Sequence, residues 1–323
     1  MDYGPQFTKD PPFRQRMRFH QSWYRAQVLN VPYGVGPKRK SKVEYGNYLR
    51  EIDGNNGLNF LMPHIFQIAK RRLAQKNTGI DEFHLLNNLL SSQTMCFNLI
   101  GPLLDHMSRT ARFLSSFVPE QIGMVNKVAL EFDPQPIGDY LNDRSSFNAY
   151  ISYEFNGGEN AFLGIETRLC GPLPDKVFAN QHYLKWTHSP VSPWPETSWP
   201  LLYTPRFNHL WRAHLLAVAL KCASPLGFST GRLLFVYHPF DAEMKELIDG
   251  YQELLKPGDQ TFIAMPLDQL VERWKAVLSI ESEAQWLGDF SQRYLDLWES
   301  EAEYLRTFNP LRRDSTVTEL PID

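Results

Sequence analysis

Cysteine is scarce: Cys96, Cys170 and Cys222 are the only three in 323 residues, odd in number and far apart. That argues against a disulfide framework or a CxxC zinc site and suits a reducing compartment. Long apolar runs are missing as well. The stretch Ala213 to Leu220 is interrupted by His214 and stopped by Lys221, well short of the roughly 18 residues a membrane span needs. The opening MDYGPQFTKD has no apolar core of the kind a secretion signal requires. The expectation is a soluble, cytoplasmic protein without a membrane partner. No HExxH, GxSxG or Rossmann glycine pattern occurs, and no GK[ST] follows the glycines of VPYGVGPKRK. His209 and His214 are five apart on an expected helix, so they do not share a face at metal-ligand spacing.

What is present is ordinary for a globular chain. Hydrophobic residues make up 43%, charged residues 21% and aromatics 13%, enough for a sizeable core. The net charge of −3 hides an asymmetry. Residues 11–43 carry eight basic side chains (Arg14, Arg16, Arg18, Arg25, Lys38, Arg39, Lys40 and Lys42) and no acid, while 281–305 carry seven acids and one base, Arg293. The basic arm interleaves Phe13, Phe19, Trp23, Tyr24 and Tyr33, a combination that suits nucleic acid through charge pairing and base stacking. The same pattern also suits an amphipathic helix whose aromatics dock on the core.

Periodicity predicts helices over 12–30, 58–76 and 81–106, then strands at 125–132, 147–153 and 161–169. A helix at 176–186 and another at 205–222 precede a strand at 232–237. A helix at 241–255, a strand at 261–265 and helices at 267–279 and 282–306 complete the order. In the last helix Trp286, Phe290, Tyr294, Leu297, Trp298 and Leu305 form one stripe, read as core. The order implies a mixed α/β core behind an N-terminal helical region.

The hairpin signal Asn156-Gly157-Gly158 carries the chemical argument. With a three-residue loop there, Phe155 opposes Glu159 and Asn148 opposes Glu166, with Cβ atoms about 5 Å apart. Glu166 and Arg168 share a face, since alternate residues of a strand do. Such a patch can hold a divalent ion through oxygen ligands beside a cation, or it can be a satisfied polar cluster in which Glu166 pairs with Arg168 and Asn148. Gln93 and Asn98 line the cleft or bond in the interior. Arg212 and His214 present a similar choice, buried pairing or helix-surface contact on one side and phosphate contact on the other.

The segment YLNDRSSFNAYISYEFNGGENAFLGIETRL resembles the core of restriction-endonuclease-like proteins of the PD-(D/E)XK superfamily, in particular a family of uncharacterised bacterial proteins described as restriction endonucleases. RFHQSWYRAQVLNVPYG, LNNLLSSQTMCFNLIGPLL, FNHLWRAHLLAVAL and LLFVYHPFDAEMKELIDGYQELL extend the resemblance over roughly residues 15–275. The resemblance implies an α/β fold: a restriction-endonuclease-like mixed sheet flanked by helices, with N-terminal and C-terminal helical additions. The expected division is 1–115 (helical, with the basic arm), 116–280 (the core) and 281–323 (acidic helix and tail).

In that family the strand pair reads SFD, then GIExK, supplying an aspartate, a glutamate and a lysine for metal-dependent phosphodiester hydrolysis. The glutamate falls on Glu166. The aspartate position falls on Asn148 and the lysine position on Arg168, and both depart from the pattern. Losing a carboxylate weakens the hold on a divalent cation, and arginine lacks the tunable basicity of lysine. Asp143 and Glu131 are the nearby acids that could complete a metal set with Glu166 and Asn148.

The resulting expectation is a DNA-engaging protein with a degraded metal site, a weak or inactive nuclease acting as a DNA-binding or complex subunit. Its DNA contacts are expected at Arg14, Arg16, Arg18, Arg25, Lys38, Arg39 and Lys40. The first alternative is an active Mg²⁺-dependent endonuclease using Glu166, Arg168 and Asn148, in a bacterial defence against foreign DNA. The second is a protein-interaction scaffold with the acidic C-terminal helix as its contact face. Magnesium is the cofactor if the site is active, and none is expected otherwise.

Overall fold

The computed structural model describes residues 2–37, 43–75, 79–174, 176–278 and 281–308. The N-terminal third contains α1 (Pro12–Gln27), the short hairpin β1 (Tyr33–Val35) and β2 (Glu44–Leu49), and α2 (Glu51–Asn55). It continues with α3 (Pro63–Leu73), α4 (Glu82–Asn87), α5 (Ser92–Ile100) and α6 (Met107–Ser115). The central sheet then takes β3 (Ile122–Phe132), β4 (Phe147–Phe155) and β5 (Glu159–Arg168). Helices α7 (Gln181–Thr187), α8 (Trp199–Leu202) and α9 (Pro205–Ala223) lead to β6 (Phe228–Tyr237), and α10 (Ala242–Gln252) leads to β7 (Phe262–Pro266). The chain closes with α11 (Leu267–Val277), α12 (Glu281–Tyr294) and α13 (Glu301–Phe308). None of the described helices is long and apolar enough to cross a membrane.

The local signals act as expected. Pro12 opens α1, where the missing N–H costs nothing. Asp81, Ser91, Asn180 and Asp241 cap α4, α5, α7 and α10 through their side chains. Two expected long helices break. The 81–106 stretch divides at Asn88–Ser91, because Asn88 bridges to Tyr48 of β2 and Ser91 starts a new helix. The 282–306 stretch divides after Tyr294, and Trp298 of the expected core stripe stands 72% exposed. The β1–β2 hairpin and α6 were not foreseen.

β3, β4 and β5 form an antiparallel meander, and β6 and β7 add in parallel, giving the order β3-β4-β5-β6-β7. Helices cover both faces, as the resemblance implies. Odd-numbered positions of β4 and β5 (Ala149, Ile151, Leu163, Ile165) pack against α1, α3, α5, α11 and α12. Tyr150 and Phe162 face the other way, onto α7, α9 and α10. One hydrophobic cluster thus draws on 1–115, 116–280 and 281–323 together, from Met17 through Ile151 to Tyr294.

Helix α1 is bound to the C-terminal segment by buried polar contacts. His20 bonds Ser300 Oγ at 2.9 Å and the Gln292 carbonyl at 3.0 Å, and Gln21 donates to the Arg293 carbonyl at 2.7 Å. In the sheet, the Phe147 ring lies over Gly164, where an added Cβ would meet it at 2.7 Å. Gly164→Ala is therefore expected to cost about 1–3 kcal/mol by overpacking. Urea denaturation of the variant checks this.

Candidate functional site

The even-numbered side of β5 begins apolar and ends polar: Phe162 is core, Gly164 receives the Phe147 ring, and Glu166 and Arg168 follow near the strand's carboxyl end. The hairpin register is the expected one, with Ala149 on Ile165, Tyr150 on Gly164 and Phe155 on Glu159. Asn148 therefore falls opposite Glu166, and its backbone N–H donates to that carboxylate. On the other flank Leu130 pairs with Ala149 and Phe132 with Phe147, which sets Glu131 beside Asn148. Glu131, Asn148 and Glu166 form one row across three strands.

The amide in the middle is fixed by its neighbours. Asn148 Oδ1 accepts from the Thr167 N–H at 2.9 Å and from its hydroxyl at 3.3 Å, while Nδ2 donates to Glu131 Oε1 at 3.4 Å. Gln93, at the start of α5, also bonds the Glu131 carboxylate. Arg72, from α3, donates to the backbone carbonyls of Leu130 (3.1 Å) and Glu131. Glu131 itself holds a left-handed backbone, φ 51°, a strained state for a residue with a side chain and one that clusters at functional sites.

The two carboxylates are buried, and the charge of Glu131 bears on Glu166. Burial, together with the charge of Glu131, pushes Glu166 up to about 8 despite Arg168, the Asn148 N–H and Arg212. Burial pushes Glu131 up to about 7 against the bonds from Gln93 and Asn148 and the charge of Arg72. Arg168 donates from Nη2 to the Pro172 carbonyl at 2.7 Å, and its buried Nε has no hydrogen-bond partner among the described residues. Burial lowers its pKa.

Asp143 does not join the row. Its carboxylate takes Arg212 Nη2 at 3.1 Å, the Tyr183 hydroxyl and the Ser145 N–H at 2.8 Å. Burial would raise its pKa, but the bonds from Ser145 and Tyr183 and the charge of Arg212 outweigh that and hold it low. The expectation of Asp143 as a metal donor is corrected: it anchors Arg212, which in turn faces Glu166.

The basic arm is also corrected in part. Arg18 is buried against Asp10 (2.5 Å) and Asn47 (2.8 Å), and Arg25 against the carbonyls of Gly46 (2.7 Å), Val31 and Asp2 (2.8 Å). Neither presents its charge to solvent. Arg16 pairs with Glu301 at 2.7 Å and bonds Ser300 at 2.8 Å. Arg14 alone of the four sits by the site, half-buried, paired with Asp10 at 3.2 Å and lying over Gly171, just past Arg168. Lys38, Arg39 and Lys40 lie outside the described residues.

Of the earlier alternatives, Gln93 lines the cleft and Asn98 bonds in the interior, to Leu61, Asn59 and Tyr294. His214 is a core residue between Tyr251 and Thr261, at 3.0 and 2.7 Å, and burial lowers its pKa to about 3. His209 stands near Arg168 and Arg212, and burial brings it down to about 4. Arg72 and Thr167 were missed. Neither carries a motif, and each acts on a backbone or side chain that only the folded sheet brings near.

A divalent ion wants several oxygen donors, commonly with more than one carboxylate. Glu131 and Glu166 supply two, but the Asn148 oxygen already accepts from Thr167 and Asp143 is consumed by Arg212. Among the described residues no group of three or more His, Cys, Asp or Glu side chains is placed to hold a metal. The donor set does not fit a resident divalent ion well.

A mixed sheet flanked by helices, with an acid, a glutamate and a cation at one end of its antiparallel strands, defines a nuclease-like α/β protein. A sequence profile describing the PD-(D/E)XK nuclease superfamily matches residues 8–296, and the chain belongs to that superfamily. Its members generally use divalent metals and act on DNA. Searches of curated proteins and of solved structures returned no match.

Proposed function

We propose that this chain is a nuclease-fold protein that engages DNA, has a degraded metal centre and acts as a DNA-binding or complex subunit. The observation that carries this reading is the amide at 148. It occupies the position of the superfamily's aspartate, its oxygen is engaged by Thr167, and it donates to the carboxylate that would share a metal with it. Arg168, in the lysine position, is turned onto the Pro172 carbonyl. DNA as the partner rests on superfamily membership.

A second reading, an active Mg²⁺-dependent endonuclease, is favoured by one feature. Burial and the charge of Glu131 raise the proton affinity of Glu166, a penalty that a bound cation would relieve.

Supercoiled plasmid with Mg²⁺ or Mn²⁺ separates the two. The native chain is expected to leave the plasmid intact, and Asn148→Asp combined with Arg168→Lys is expected to nick it. Nicking by the native chain that disappears in Glu166→Ala would replace the first reading with the second.

A further inference from the structure

The open edge of β3 carries a second feature beside the carboxylate row. Helix α3 ends on Lys70, Arg71 and Arg72, and Arg72 fastens that turn to the strand through the carbonyls of Leu130 and Glu131. Between helix and strand runs a groove of about 470 Å³ whose lining includes Arg71, Arg72, Gln75, Lys127 and Asp133. Asp133 is its one carboxylate, and Arg72 lies 3.5 Å from it. Arg71 and Lys127 are exposed, and neither forms an ion pair among the described residues. The Lys127 ammonium sits over the Phe132 ring at 4.8 Å, which orders its stem without neutralising its charge.

Basic residues at the end of α3 offset the helix dipole, and a lysine on an edge strand discourages strand pairing. Neither effect explains why the two elements aim their free cations into one groove, or why that groove abuts the backbone of Glu131. Phosphates of a nucleic-acid strand need that arrangement: convergent, unpaired, accessible cations leading to the reactive end of the sheet. We infer that the groove between the end of α3 and the edge of β3, with Arg71 and Lys127 as its free cations, is a track for the phosphate backbone of duplex DNA leading to the Glu131–Glu166 row. This deepens the proposed function and rests on it for the identity of the polyanion.

The test is fluorescence anisotropy of a labelled duplex oligonucleotide across a salt series without divalent metal. It compares the native chain, Arg71→Gln with Lys127→Gln, and Lys275→Gln as a control for charge loss at an exposed site on α11. The double variant is expected to bind on the order of tenfold more weakly, and its salt slope to fall by roughly 1.8 for two lost phosphate contacts. The control should match the native chain. Circular dichroism checks that the folds agree, and both substituted positions are exposed. A double variant that matches the control in affinity and slope overturns the track while leaving DNA engagement standing. A native chain that shows no salt-dependent duplex binding overturns both.

Discussion

At about pH 9 the Glu166→Gln chain should be more stable to chemical denaturation than the native chain by a few kcal/mol, whereas at about pH 5 the two should be nearly equal. The sign follows from the proton balance. In the folded chain Glu166 keeps its proton up to about 8 and Glu131 up to about 7, while both lose it near 4.5 when unfolded. Between those values the folded state binds more protons. The stability these groups contribute is complete below about 4.5 and declines as pH rises through 7 and 8, by up to about 1.4 kcal/mol per unit for each group.

Four histidines act in the opposite sense at lower pH. Burial keeps His20 and His209 down at about 4, and His214 and His238 at about 3. Their contribution is lost as pH falls below the usual value of 6.5, so the native chain should be most stable near neutrality. Subtracting the Glu166→Gln curve from the native one removes the histidines and leaves the carboxylate. A flat difference curve would mean that burial and the neighbouring charge do not hold the Glu166 proton.

The largest loss of stability is expected from Arg293→Ala, about 3–5 kcal/mol by chemical denaturation. Arg293 has no solvent exposure, although it is the lone base in an acidic stretch. Its guanidinium donates to the Asn59 carbonyl at 2.8 Å, to Asn59 Oδ1 and to Gln21 Oε1 at 3.4 Å, and lies 4.8 Å from the Tyr294 ring centroid. Truncation strands two buried acceptors, Asn59 Oδ1 and Gln21 Oε1, leaves the Asn59 carbonyl with Asn98 alone, and opens a cavity in the seam between α1, the loop at Asn59 and α12. Lysine should recover little, because one ammonium cannot reproduce the fork. A cost under about 1 kcal/mol would show that water restores the lost bonds.

The central hairpin was legible in the sequence. Two glycines after Asn156 fix the loop, the loop fixes the register, and the period of two then places Asn148, Glu166 and Arg168 on one face. What lay beyond was the third strand. Glu131 joins the row through the β3–β4 pairing, which no short turn dictates, so from the sequence it was only a nearby acid. The arm shows a different limit. Arg18 and Arg25 sit among aromatics, as phosphate-binding residues do, but Arg18 is held by the distant Asn47 as well as Asp10, and Arg25 by the backbone carbonyls of Gly46, Val31 and Asp2, which no pattern of side chains reveals. Arg71 and Lys127 went unnoticed because 56 positions separate them and only the docking of α3 on β3 joins them.

The bonds between α1 and α12 set a timetable for synthesis. Gln21 meets the Arg293 carbonyl across 272 positions of chain, so α1 leaves the ribosome on the order of tens of seconds before its partner exists. Until then His20 and Gln21 lack the Ser300, Gln292 and Arg293 partners that they hold in the folded chain. The docking of α1 on α12 therefore cannot precede the synthesis of residue 293.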